Sequence, residues 1–203
     1  RTLIYGLDAD LIMLGLNHLP IAENIYLFRE TPEFIKSINS NFIPNENYIL
    51  DLPELAKTII ARMNNFKPVN KKQQTNRLYD YIFLCFFLGN DFMPHFPSVN
   101  IRTNGIEILL NAYGETIGDT NQNLTDGKNI YWRNVHKFVN FLANDEHENL
   151  KQEYKIRNRW EKRVLKKNTL KEKLSKLQSI PIKERDIEKY INPFKQSWQK
   201  RYY

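Results

Sequence analysis

Two apolar runs, each ending in a glycine-bearing acidic turn, constrain this chain more than any other feature. Leu3-Ile4-Tyr5 leads into Gly6-Leu7-Asp8-Ala9-Asp10-Leu11, and Tyr81-Ile82-Phe83-Leu84-Cys85-Phe86-Phe87-Leu88 leads into Gly89-Asn90-Asp91-Phe92. A carboxylate beside buried apolar chain is costly unless something positive compensates it. Three such groups from two distant segments point to hard divalent cations, and hence to metal-dependent phosphodiester hydrolysis. A duller account stands beside this one. Asp8 can simply make a turn, Asp10 can cap the next helix, and Gly-Asn-Asp is ordinary turn chemistry.

The order of elements decides where those carboxylates would sit. Leu3–Leu7 reads as a short, fully buried strand, with a helix over Leu11–Leu16 capped by Asp10. Strands are expected over Asn24–Arg29 and Tyr48–Leu50. Asp51 and Pro53 then open a helix whose Leu52, Leu55, Ile59 and Met63 recur at helical spacing. Asn76–Leu88 is expected to be a buried helix stopped by Gly89. Gly105–Tyr113 and Tyr131–Leu142 read as amphipathic helices. Glu148–Gln178 reads as one long charged helix, with Trp160, Val164, Leu170, Leu174 and Leu177 as its apolar stripe. The fold class is therefore α/β running into mostly α, with domains expected at about 1–100 and 101–203. In an open α/β sheet, ligands bind beyond the carboxyl ends of the strands. Asp8 and Asp10, two apart, would share one direction there if the chain stays extended.

Composition narrows the classes. A chain of 203 residues, 41% of them hydrophobic, suffices for one domain or one domain with an appendage. The single cysteine, Cys85, excludes a disulfide framework and a thiolate metal cage, and fits a reducing, intracellular compartment. No stretch approaches the ~20 clean apolar residues of a membrane span. The chain opens on Arg1 with a strand almost at once, so it is expected to be part of something longer. The net charge is +7, yet Lys151–Lys176 alone holds eleven Lys and Arg against three Glu, or +8, leaving −1 elsewhere. Such a block, including Lys162, Lys166 and Lys167, is either a footprint for phosphates or a solvated helix face. Trp132, Trp160 and Trp198 could stack on bases or pack in a core. His18, His136 and His147 have no partner at ligand spacing.

The motifs themselves resemble those of a known family. Ile4-Tyr5-Gly6-Leu7-Asp8-Ala9-Asp10-Leu11-Ile12-Met13-Leu14 is similar, nearly letter for letter, to a hallmark of the XRN 5′→3′ exoribonucleases. Phe83 to Ser98, with Ile101-Arg102 and Gly105-Ile106, resembles a second hallmark, and Tyr48 to Leu55 the stretch between them. The closing Trp198-Gln199-Lys200-Arg201-Tyr202-Tyr203 is similar to a later motif. The resemblance implies the end of a PIN/flap-nuclease-like α/β domain followed by a helical region. It implies two Mg²⁺ (or Mn²⁺) ions, with Asp8, Asp10 and Asp91 as metal ligands and catalytic residues. Asn90, Asp80 and His95 could support those ligands rather than bind the ions, although Asp80, at the head of the apolar helix, can equally be a cap, and His95, between Pro94 and Pro97, can belong to a rigid structural turn. The implied substrate is single-stranded RNA with a 5′-monophosphate, degraded stepwise to mononucleotides in RNA decay. The family's remaining acidic ligands and its 5′-phosphate pocket would lie before Arg1, so the isolated chain is expected to be inactive. The alternative is a non-catalytic RNA-binding or scaffold module. A DNA flap nuclease fits less well, because Phe92-Met93-Pro94-His95 follows Asp91 where a glycine-rich hairpin is expected.

Overall fold

In the computed structural model, which describes residues 1–31, 41–43, 46–101, 103–162, 168–170, 172–174 and 185–203, the chain begins with a small sheet. Strands β1 (Thr2–Tyr5), β2 (Ile25–Glu30) and β3 (Asn47–Asp51) lie in the order β1-β2-β3. β1 pairs parallel to β2 with Ile4 opposite Leu27. β2 pairs antiparallel to β3 with Leu27 opposite Leu50. The parallel pair needs a crossover, supplied by helix α1 (Asp10–His18). Gly15 lets α1 approach its neighbour closely, since a Cβ there would stand 2.3 Å from Leu52 Cδ1.

Helix α2 (Leu52–Met63) begins as its sequence dictates: the Asp51 carboxylate accepts the Glu54 N–H at 2.9 Å, and Pro53 occupies the first turn. Its buried Leu52, Ala56, Ile59 and Met63 form the core stripe together with Leu16, Ile25 and Leu27. Helix α3 spans Lys71–Cys85, starting earlier than the apolar run because Asn70 caps it through the Gln73 N–H at 2.9 Å. A 3₁₀ turn, Phe86–Leu88, follows, and Gly89 ends it at φ +82°, a conformation that favours glycine. Helix α4 occupies Gly105–Tyr113 and runs into a π turn at Gly114–Gly118. The later helices are α5 (Trp132–Glu161), α6 (Asp186–Ile191) and α7 (Trp198–Tyr202). The chain divides into two compact units, one of Arg1–Phe86 with Leu110–Phe138, the other of Phe87–Leu109 with Val139–Tyr203. No described helix is long and apolar enough to cross a membrane.

Three expectations are corrected. β1 is not fully buried: Leu3 and Tyr5 are more than half exposed, because β1 is an edge strand with one face left uncovered by the described residues. α3 is apolar on all sides after Asp80, yet Tyr81, Ile82 and Phe83 are only half-buried. The expected break between Leu142 and Glu148 does not occur; with neither glycine nor proline between Trp132 and Glu161, one helix runs through. A fresh helical start follows instead at Thr169, whose hydroxyl accepts the Glu172 N–H while the Glu172 carboxylate accepts the Asn168 and Thr169 N–H groups. Leu170 and Leu174, placed on an apolar stripe, are exposed, and Val164 and Leu177 lie outside the described residues.

Candidate functional site

The first acidic motif leaves the carboxyl end of β1 and turns straight into α1. Gly6 N–H still donates to Phe28 O, and Leu7 O accepts from Arg29 Nη2 at 2.9 Å, so the sheet grips the chain up to the turn. Asp8 Oδ1 then accepts the Asp10 N–H at 3.2 Å. Ala9, not Asp10, occupies the cap position, and Asp10 is the first residue of α1, where its charge complements the helix dipole. The two carboxylates are therefore neighbours through a turn into a helix rather than through an extended strand. Both are exposed, beyond the end of a parallel strand.

The second motif lies in the other unit and is a tight turn. Asn90 Oδ1 accepts the Phe92 and Met93 N–H groups, each at 2.9 Å, and Asn90 N–H donates to Met93 O. The asparagine is thus committed to holding the loop. Asp91 sits exposed within it, and Phe92, 93% exposed, projects beside it. His95 Nδ1 is paired with Phe96 O at 2.6 Å, and His95 O accepts from the Tyr202 hydroxyl at 3.1 Å. Among the described residues, no group of three or more His, Cys, Asp and Glu side chains could hold a metal ion.

Asp80 lies inside α3 rather than at a helix start, and it is the centre of a buried network within the first unit. Its Oδ1 accepts the Leu124 and Thr125 N–H groups, both at 2.8 Å, and its Oδ2 accepts from the Tyr113 hydroxyl. Burial pushes its carboxyl up to about 6, against the pull of the Tyr113, Leu124 and Thr125 hydrogen bonds and of Arg77. Arg77, one helical turn earlier and fully buried, donates to Asn64 Oδ1, the Tyr113 hydroxyl, Gln122 O and Thr120 O at 2.6–3.1 Å. Sequence reasoning missed Arg77. Its i, i+3 spacing from Asp80 was the available signal, and on a surface helix such a pair would be unremarkable.

In the second unit, the basic block behaves differently from a uniform solvated face. Lys162 is exposed at the end of α5, whereas Lys166 and Lys167 lie outside the described residues. Within α5, Glu153 and Arg157 are turned inward and buried. Glu153 Oε1 accepts from Asn100 Nδ2 at 2.9 Å, and Arg157 Nη2 pairs with Glu188 Oε1 at 2.8 Å. The closing motif is a latch. Trp198 is buried and donates its indole N–H to His147 Nδ1 at 2.7 Å, with the rings stacked. Arg201 binds the carbonyls of Tyr190, Ile191, Asn192, Lys195 and Gln196. Trp132, by contrast, is 68% exposed.

These motifs coincide with a family pattern. Residues 71–203 match the model of the Xrn1 helical domain. The chain belongs to the XRN family. It is 30% identical to 5′-3′ exoribonuclease 2 of Arabidopsis thaliana over 166 residues, covering 67% of this chain and 16% of that protein. It is 32% identical to 5′-3′ exoribonuclease 2 of Debaryomyces hansenii over 168 residues, covering 71% and 16%. For the enzyme of the same name from Eremothecium gossypii, the identity is 30% over 175 residues, covering 74% and 18%. The chain thus spans less than a fifth of the length of these XRN relatives. The match takes in the α3 network, the Asp91 turn and the closing latch alike.

Proposed function

We propose that this chain forms part of a 5′→3′ exoribonuclease that degrades single-stranded RNA bearing a 5′-monophosphate, one nucleotide at a time, inside the cell. The exposed pair Asp8 and Asp10, set beyond the carboxyl end of β1 in a chain of the XRN family, carries this reading. The sheet from which they emerge is assigned to the end of a PIN-like α/β domain, and Asp91 is assigned as a further ligand.

The donor set fits the metal by its chemistry. Carboxylate oxygens are the ligands hard cations take, and Mg²⁺ keeps several waters when only a few carboxylates hold it. Asp8, Asp10 and Asp91 would hold Mg²⁺ or Mn²⁺, which when bound lowers the pKa of water and stabilises a departing oxygen. The protein's own contribution is positional. The Asp10 N–H fixes Asp8, the start of α1 fixes Asp10, and the Asn90 turn fixes the backbone on which Asp91 rides. Two full metal sites need more oxygen donors than three side chains supply, so the 203-residue chain alone is expected to be inactive.

The test is hydrolysis of 5′-phosphorylated and 5′-hydroxyl RNA by the longest protein containing this chain, with Mg²⁺, with Mn²⁺ and with EDTA. Activity should require the metal and the 5′-phosphate, and fall at least 100-fold in Asp8→Asn and Asp91→Asn. Undiminished turnover in either variant refutes its role as ligand. RNA binding that survives while no form of the protein turns over would favour the non-catalytic scaffold reading.

A further inference from the structure

In the second unit, α7 is held by a bond that only one protonation state of its partner allows. Trp198 is 2% exposed, and its indole N–H donates to His147 Nδ1 at 2.7 Å, the two rings lying within 15° of parallel. An indole nitrogen can only donate, so Nδ1 must accept, and the proton of the neutral imidazole sits on Nε2. Imidazolium carries a proton on both nitrogens and has nothing left to accept with. Protonation would therefore set donor against donor at a buried N–H. The proton has a way in, because His147 is only half-buried and lines an open cleft of about 390 Å³.

The charged groups around the ring largely offset one another. Lys151, one turn further along α5, and Lys195, in the turn before α7, line the same cleft and oppose a further positive charge. Glu148, next to His147 on α5, attracts one, but it is paired with Lys151 at 2.8 Å. Glu146 is engaged by the Tyr203 hydroxyl. Among the described residues, no carboxylate pairs with the His147 ring, so none takes the place of the bond that protonation removes.

That bond holds a turn bent against its own preference. Asn192 and Ser197 lie at φ +33° and +57°, where residues with a Cβ are uncommon. Such backbone persists only while its surroundings over-determine it. Here the surroundings are Arg201, which binds carbonyls between Tyr190 and Gln196, and Trp198 with its bond to His147. α7 also carries Tyr202, whose hydroxyl donates to His95 O at 3.1 Å. We propose that His147 is a pH-sensitive catch on α7. Neutral, it holds Trp198 in place; protonated, it releases the indole, and α7 loosens together with its Tyr202 contact to the loop after Asp91. The catch is closed at about pH 8 and opens as the pH falls towards about 5, the range in which histidine ordinarily changes charge. Neither metal nor turnover enters, so the nuclease reading can fail while the catch stands.

The experiment is NMR of the 203-residue chain without divalent metal, following hydrogen exchange of the Trp198 indole N–H, assigned at pH 8 through its contact with the His147 ring. Its protection relative to free indole should fall about ten-fold or more between pH 8 and pH 5, as for a buried donor that loses its acceptor. The midpoint should coincide with the titration of the His147 ring in the same sample. His147→Asn, whose side-chain oxygen can stand where Nδ1 stood and accept at every pH, should keep protection flat. Unchanged protection in the wild type, a midpoint that differs from that of His147, or the same loss in His147→Asn overturns the proposal. So does a Trp198 signal that shifts with pH while its protection holds, because the ring has then charged without letting go. If His147→Asn fails to fold, the two wild-type midpoints decide, with His18, His95 and His136 as the other rings to compare.

Discussion

Both units bury charged side chains, and they do so to different ends. In the first, Arg77 and Asp80 are wholly inaccessible, and every oxygen and nitrogen of the pair is met by backbone, Asn64 or Tyr113. In the second, Glu153 and Arg185 are nearly as buried, but each leaves an atom unpartnered beside a cavity. A buried polar network stabilises a unique packing when complete, and is costly when it is not. Completeness therefore separates a network that fixes one packing from one that leaves polar atoms unmet. Burial or charge alone would rank the two together.

The sharpest way to break this comparison is to remove the charge of the complete network. In Asp80→Asn, the oxygen can keep the Leu124 and Thr125 N–H groups, but the new amide nitrogen sets a second donor against the Tyr113 hydroxyl, so that two buried donors lose their acceptor. Each unmet buried group costs about 1–3 kcal/mol, so the total should reach about 2–6 kcal/mol. Urea unfolding should show a loss of that size. A loss below about 1 kcal/mol would mean that the network does not hold the first unit together.

A pH series reads the same group without mutation. Asp80 lies at about 6 in the folded protein, above its ordinary 3.8. The folded state therefore binds the proton more tightly than the unfolded state. Its contribution is fully present below about pH 4 and is lost as pH rises through about 6, a swing of up to ~3 kcal/mol at 1.36 kcal/mol per unit. Relative to Asp80→Asn, wild-type stability should fall between pH 4 and 6. A difference that stays flat over that window would show that the hydrogen bonds from Tyr113 and the backbone fully offset the burial of the charge.

Much of the fold was legible because local chemistry and tertiary packing agree. Asp51 and Pro53 announced α2, and the apolar spacing of Gly105–Tyr113 marked α4. The three strands were foreshadowed by three short apolar runs separated by turns, but not their order or direction. The exposure of Leu3 and Tyr5 was not legible, since an apolar run reads the same on a covered or an uncovered face. The continuity of α5 was hidden by the polar stretch Asn144-Asp145-Glu146-His147, which favours a loop in isolation but lies in the helix here. Of the candidate site, Asp8, Asp10 and Asp91 could be found by motif, and the structure adds what each local turn does. Arg77, Glu153 and Arg185 could not be found, because their partners are backbone carbonyls and residues tens of positions away.

A pair of hydroxyl deletions sharpens the contrast on a smaller scale. The Tyr113 hydroxyl accepts from Arg77 and donates to Asp80, so Tyr113→Phe removes hydrogen bonds to two buried charges. Bonds to charged groups are worth about 1.5–3 kcal/mol. The Tyr202 hydroxyl donates to a single carbonyl, that of His95, from a half-buried position. Tyr202→Phe should cost no more than about 1 kcal/mol. Equal losses in calorimetry would remove the distinction between a complete network and one with unmet atoms.

The smallest expected effect is the most discriminating. Glu153→Gln is the same chemical change as Asp80→Asn, one oxygen replaced by an amide nitrogen in a buried carboxyl. Glu153 is raised from its usual value chiefly by burial, which Asn100, His95 and Arg157 offset only in part. The amide can keep the bond from Asn100 through its oxygen, gives up a charge that burial already disfavours, and trades one unpartnered atom for another. Lost attraction to Arg157 and His95 opposes these gains, so the net change in unfolding free energy should stay within about 1 kcal/mol, as for substitutions that break no completed network. If Glu153→Gln instead destabilises as strongly as Asp80→Asn, the second network is as structural as the first, and unmet atoms make no difference to what a buried carboxylate contributes.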